Sequence, residues 1–192
     1  MPKTRTFIAV EALDEVHARA LQAIDQLRTA ADNVKWVAQD NLHWTLQFLG
    51  DLTDSEMAEV CRKVGRVAAE LAPFLLAAEG VGAFPSNDRP RTLWLGAGQG
   101  GEALCQLQDD IEKGLADMGF RGERRQYVPH LTLGRVGRGS HGSTELAQRM
   151  SQLADFEGGQ MAVEEVAVFA SELTREGPIY TALAHAPLES RG

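Results

Sequence analysis

The tetrad His-x-Thr-Leu occurs twice, as His43-Trp44-Thr45-Leu46 and His130-Leu131-Thr132-Leu133, in a chain with only five histidines. Both copies alternate polar and apolar side chains, the period-two pattern of a half-buried strand. In the first, His43, Thr45 and Gln47 point one way while Leu42, Trp44, Leu46 and Phe48 point the other. In the second, His130 and Thr132 oppose Leu131 and Leu133. A fold that accepts this chain must bury two leucine-bearing strand faces and leave an imidazole and a hydroxyl on each opposite face, about 6 to 7 Å apart.

The flanking pattern is mixed. A strand is expected over 6–10, then a helix carrying Leu13, Val16, Ala20, Ile24 and Leu27 to about Ala31. Strands follow at 35–37 and 42–49, and Thr53 with Glu56 forms a capping box that opens a helix ending before Pro73. Strands at 74–81 and 91–97, a helix over 102–118, the His130 strand and a helix over 144–154 come next. The chain closes with an expected hairpin of 161–171 against 179–184. Several links between neighbouring strands are too short for parallel crossovers, which favours an α+β fold built on antiparallel sheets. The 192 residues suit one domain of two small lobes, spanning 1–192.

Several function classes fall away. A net charge of -8 opposes a protein that coats nucleic acid nonspecifically, while leaving room for one phosphate in a locally basic cleft. The apolar runs are far shorter than the roughly 20 residues a membrane span needs, and no secretory leader pattern opens the chain. No membrane partner and a cytoplasmic location are therefore expected. Cys61 and Cys105 sit outside any Cys-x-x-Cys pattern and read as buried, reduced thiols. Gly96-Ala97-Gly98-Gln99-Gly100-Gly101 fits G-x-G-x-x-G, but the strand before it alternates where a parallel central strand is continuously apolar, so it reads as a turn. No metal is expected, since neither tetrad carries an acidic residue and there is no His-x-x-x-His; nor is there a G-x-S-x-G nucleophile.

Two imidazoles and two hydroxyls suit phosphodiester cleavage. One imidazole takes a proton from the attacking oxygen and the other gives one to the leaving oxygen, both near neutral pH, while hydroxyls hold the non-bridging oxygens. On these residues the chain resembles the two-histidine phosphoesterases. The contexts Asn41-Leu42-His43 with Phe48-Leu49-Gly50, and Pro129-His130 with Gly134-Arg135, resemble the RNA 2′,3′-cyclic phosphodiesterase branch, also called the 2′-5′ RNA ligase family. The likeness runs from Arg5-Thr6-Phe7-Ile8-Ala9 through 91–95 to Ser171-Glu172-Leu173 and Gly177-Pro178-Ile179-Tyr180.

The resemblance implies a bilobed α+β fold: two antiparallel sheets with flanking helices, a pseudo-twofold axis and a cleft between the lobes. It also implies hydrolysis of RNA ends or nucleoside 2′,3′-cyclic phosphates to 2′-phosphomonoesters using neither metal nor cofactor, and a monomer is expected. His43 would be the proton donor and His130 the proton acceptor, although the symmetry of the tetrads leaves the two roles exchangeable. Thr45 and Thr132 would bind phosphate oxygens. The alternatives are reversible 2′-5′ RNA joining and a noncatalytic binder of terminal or cyclic phosphates. The resemblance gives Arg135 a cleft role, whereas strict alternation puts it on the leucine face, and only a bulge or turn at Gly134 would swing it into the cleft. Phe48 falls on the apolar face by the same count, so it is a core residue or a base-stacking one. Tyr180 lines the cleft or fills the hairpin core. Arg121, Arg124, Arg125, Arg135 and Arg138 together make a basic edge around the second tetrad, while His17, His141 and His185 read as solvated.

Overall fold

The computed structural model describes residues 3–120, 122, 126–137 and 143–189. Arg121, Arg124, Arg125, Arg138 and His141 lie outside the described residues. In chain order the elements are β1 (Thr4–Glu11), α1 (Asp14–Arg28), β2 (Val34–Trp36), β3 (His43–Leu52), α2 (Asp54–Ala68), β4 (Phe74–Phe84), β5 (Thr92–Ala97) and α3 (Gly101–Leu115). Then follow β6 (His130–Val136), α4 (Thr144–Gln152), β7 (Glu157–Val163), β8 (Glu165–Leu173) and β9 (Pro178–Pro187).

Every registered strand pair is antiparallel, as the short links require. The strands form one nine-stranded sheet in the order β7-β4-β5-β6-β3-β1-β8-β9, with β2 also on β6. This corrects the expectation of two separate sheets. The halves meet where the two histidine strands adjoin, through the single registered pair Trp44↔Leu131. Beyond that pair β6 takes β2 as its neighbour, Lys35 opposite Arg135. Two free inner edges would strand backbone donors and acceptors; the shared pair and the β2 ladder give them partners instead.

The expected 161–171 strand divides at Glu164. Met161 and Val163 are buried on β7, and the buried alternation restarts out of phase at Val166. β7 pairs with β4 at one end of the sheet, whereas β8 pairs with β1 and β9 near the other. A one-residue link spans only about 3.5 Å. The sheet must therefore curl until its two ends approach, and that curl makes a concave face.

The helices fill the convex side. Thr53 and Glu56 form the expected capping box at α2, and the buried faces of α1 (Val16, Ala20, Ile24, Leu27), α2 (Val60, Val64) and α3 (Leu104, Leu107, Ile111) share one core with Ile8, Trp44, Leu46, Leu131 and Leu133. The opposite face carries a separate small apolar cluster, Phe7, Ala9, Ala167 and Phe169, with Tyr180 against it. The Gly96–Gly101 turn joins antiparallel β5 to α3, which excludes a dinucleotide-binding crossover. Gly100 has φ +84°, and a Cβ there would lie 2.0 Å from the Leu75 carbonyl oxygen. Its glycine serves chain packing.

Candidate active site

Two β-bulges decide which side chains enter the concave face. Along β1 and β3 the register passes from Ala9↔Thr45 to Ile8↔Gln47, leaving Leu46 as an extra residue. Along β5 and β6 it passes from Trp94↔Thr132 to Leu93↔Gly134, leaving Leu133 extra. A bulge of this kind resets the alternation of every residue after it. Phe48, counted onto the apolar face from sequence, is instead 61% exposed on the cleft side, and Arg135 is carried off the leucine face in the same way. Gln47 moves in the opposite sense: expected beside His43, it is buried at 6% exposure.

The two imidazoles are held alike. His43 Nδ1–H donates to the carbonyl of Asn41 at 2.7 Å, and His130 Nδ1–H donates to the carbonyl of Val128 at 2.7 Å. A carbonyl only accepts, so both rings carry the proton on Nδ1 when neutral and present Nε2 as a base. Thr45 Oγ1 lies 2.9 Å from His43 Nε2 and donates to it in that tautomer. Aromatic rings fix both imidazoles from the side: Phe7 and Tyr180 lie 5.0 and 5.4 Å from His43, and Phe84 meets His130 edge-on at 4.9 Å. Burial pushes the His43 pKa below its ordinary value near 6.5. The bond to Asn41 works against that shift, whereas the positive charges of Arg135 and His130 add to it.

Antiparallel pairing about Trp44↔Leu131 sets His43 beside Thr132 and Thr45 beside His130. Two hollows flank this crossing. One, about 340 Å³, is lined by His43, Trp36, Lys35, Glu176, Ile179 and Tyr180 among others. The second, about 460 Å³, is lined by His130, Phe84, Gln108, Glu112 and Tyr127 among others. Thr45, Phe48, Thr132 and Arg135 line both and form the saddle between them. The site thus has one imidazole on each side, and hydroxyls with a guanidinium between.

Some supporting residues carried no sequence signal of their own. Thr92 Oγ1 receives a hydrogen bond from Arg135 at 3.1 Å, and the Tyr127 hydroxyl donates to the Thr45 carbonyl at 2.9 Å. Asn41 Nδ2 donates to the Pro178 carbonyl at 2.8 Å, fastening the approach to β3 onto the β8–β9 hairpin. Phe7 and Thr92 fall in the quoted family-like stretches, the one available clue to them. His17 and His185 are engaged elsewhere, with the Gln39 carbonyl and with Glu165. Cys61 and Cys105 are free thiols, half-buried rather than fully buried. Among the described residues, no helix is long and apolar enough to cross a membrane.

The sequence profile of the 2′-5′ RNA ligase superfamily matches residues 13–175. The chain belongs to that superfamily. A relative from Methanothermobacter thermautotrophicus named RNA 2′,3′-cyclic phosphodiesterase is 37% identical over 93% of this chain and 96% of its own. Among solved structures, a Thermus thermophilus protein superposes with a TM-score of 0.82 at 27% identity, covering 98% of this chain and all of the other. Escherichia coli LigT in complex with 3′-AMP superposes at 0.75 with 26% identity, covering 97% of this chain and 98% of LigT. The superfamily assignment and the paired imidazoles thus rest on separate observations of the same chain.

Proposed function

We propose that this protein hydrolyses RNA 2′,3′-cyclic phosphate ends to 2′-phosphomonoesters by general acid–base catalysis with His43 and His130. The observation that carries the reading is the matched pair of Nδ1-anchored imidazoles on opposite sides of the Thr45, Thr132 and Arg135 saddle. The cyclic phosphate sits on that saddle. Thr45 and Thr132 donate to its non-bridging oxygens, and Arg135 offsets the charge that builds on them.

Neutral His130 Nε2 takes a proton from water as the water oxygen bonds to phosphorus. The bond to the 3′ oxygen breaks, and that oxygen takes a proton from His43 Nε2. The products are a 2′-phosphomonoester and a free 3′ hydroxyl. A second turnover needs only a proton shift from His130 back to His43 through solvent. His43 must enter the reaction protonated, although the protein alone favours its neutral form. The anionic phosphate supplies the change: it neutralises Arg135, places a negative charge beside the ring, and draws the Thr45 hydroxyl away from Nε2.

The terminal nucleoside occupies the hollow on the His43 side, its base against Phe48 and Tyr180. We further take the two halves of the sheet, β6-β5-β4-β7 and β3-β1-β8-β9, as lobes of a single 1–192 domain related by a pseudo-twofold through Trp44↔Leu131. The protein acts in this reading as a cytoplasmic monomer without metal. The hollow beside His130, the larger of the two at about 460 Å³, favours a second reading in the same site: a 5′ hydroxyl of another RNA replaces water, giving 2′-5′ joining.

Phosphorus NMR of a short RNA ending in 2′,3′-cyclic phosphate, incubated in EDTA, tests the proposal. Conversion to one 2′-monoester is expected, slowed about 10² to 10⁴-fold in His43→Ala and in His130→Ala. Undiminished turnover in either variant would sink the mechanism; a longer RNA product would favour joining, and binding with no bond broken would leave a phosphate binder.

A further inference from the structure

The cleft face of β1 has a charge gradient that hydrolysis of a single cyclic nucleotide does not require. Arg5, Phe7, Ala9 and Glu11 alternate onto this face. Phe7 and Ala9 belong to its apolar cluster. At one end, where Glu11 pairs with His43 on β3, Glu11, Glu165 and His185 bring their polar atoms within 4.8 Å of one another, and His185 is hydrogen-bonded to Glu165. That end repels a polyanion.

The other end carries Arg5. Arg5 pairs with Ser171 on β8, and Ser171 pairs with Tyr180 on β9, so three side chains share one row on one face across three adjacent strands. The outer two are about 10 Å apart at their Cα atoms. The row offers a guanidinium and two hydroxyls, none hydrogen-bonded to another described residue. Asp51 stands across from Arg5 on β3, yet the two form no ion pair. Tyr180 ties the row to the saddle, since it lines the same hollow as Arg135 and its ring lies 5.4 Å from that of His43. Tyr180 thus belongs both to the row that carries Arg5 and to the hollow that Arg135 lines, an arrangement that suits successive phosphates flanking a stacked nucleoside.

We propose that Arg5, with Ser171, binds the phosphodiester one nucleotide upstream of the cyclic end, so that the RNA chain leaves the cleft over β1, β8 and β9, away from Glu11 and Glu165. This rests on the cyclic-phosphate reading above and adds to it that the preferred substrate is an oligonucleotide. Arg5 here positions the substrate and takes no part in proton transfer.

The test compares uridine 2′,3′-cyclic phosphate with a trinucleotide bearing the same end, for wild type, Arg5→Ala and Arg5→Lys. A third substrate carries a neutral methylphosphonate at the penultimate linkage. Arg5→Ala is expected to cut the trinucleotide-to-mononucleotide ratio of kcat/KM about tenfold, as loss of a charge-assisted contact does, with Arg5→Lys recovering part of it. The methylphosphonate should cost the wild type a similar factor and cost Arg5→Ala nothing more. Equal losses on mononucleotide and trinucleotide, or full sensitivity of Arg5→Ala to the methylphosphonate, would overturn the assignment. Wild type that opens neither cyclic end would remove the parent reading and this one with it; wild type that opens both with no preference for the trinucleotide would overturn this one alone.

Discussion

Phe48 and Arg135 occupy equivalent places, each five residues after its histidine and each turned onto the cleft face by a bulge at the Leu of its tetrad. The repeat therefore extends past the tetrad, from His43-Trp44-Thr45-Leu46-Gln47-Phe48 to His130-Leu131-Thr132-Leu133-Gly134-Arg135. The backbone device is the same twice, while the side chain it delivers is a ring in one copy and a guanidinium in the other. Two alike bulges thus present an unlike surface, apolar at Phe48 and cationic at Arg135.

Gly134 is the weak point of the second bulge. A Cβ there would lie 2.7 Å from Val34 Cγ1 and 2.9 Å from the Trp36 ring. Gly134→Ala should push β2 off β6, costing about 1–3 kcal/mol as overpacking does. It should also lower kcat/KM by displacing Arg135. Urea denaturation with steady-state kinetics checks both, and a variant matching wild type in each would show that β2 yields without moving the arginine.

Arg135 acts on His43 through charge. Its guanidinium, held by Thr92, is among the groups that lower the His43 pKa. Arg135→Gln should therefore raise that pKa, read from the His43 ring resonances in a pH titration. It should also reduce kcat/KM about 10- to 100-fold through loss of a charged phosphate contact. A His43 pKa that stays put or falls would mean the two groups are effectively screened from each other.

The pH dependence of stability follows from the same depressed pKa. Above about pH 7.5, a unit over the unfolded pKa, the ring is neutral folded and unfolded, so it contributes no slope. As pH falls below 6.5 the unfolded chain binds the proton first, and the native state loses stability until pH passes below the folded pKa. The loss cannot exceed about 1.4 kcal/mol per pH unit for one proton. His43→Asn should flatten this limb in denaturation curves taken between about pH 5 and 7; an unchanged slope would assign the acid limb to other groups.

The tetrads made the two central strands and the polar pairs legible, because alternation survives up to the bulge. Beyond it, strict alternation alone places Phe48, Arg135 and Gln47 on the wrong face, since an extra residue in one strand is defined by the partner's register and leaves no mark in local polarity. The Thr53–Glu56 capping box was readable because both partners lie within four residues. The division at Glu164 was not, because β7 and β8 read as one run until their separate partners, β4 and β1, are known. Phe7 and Phe84 reach the imidazoles by tertiary approach alone, which no local pattern encodes.

Proton uptake on ligand binding separates the roles of the two histidines. In the protein alone, burial, Arg135 and His130 favour neutral His43, and Thr45 donates to its Nε2. An anionic phosphate on the saddle cancels the influence of Arg135 and offers Nε2 a negative partner, so the pKa rises and the ring binds a proton. Calorimetric titration with a nucleoside 2′-monophosphate near pH 7, in buffers of different ionisation enthalpy, should show net uptake in wild type. His43→Gln should show less. Undiminished uptake in His43→Gln together with its loss in His130→Gln would transfer the acid's role to His130 and reverse the direction of attack across the saddle.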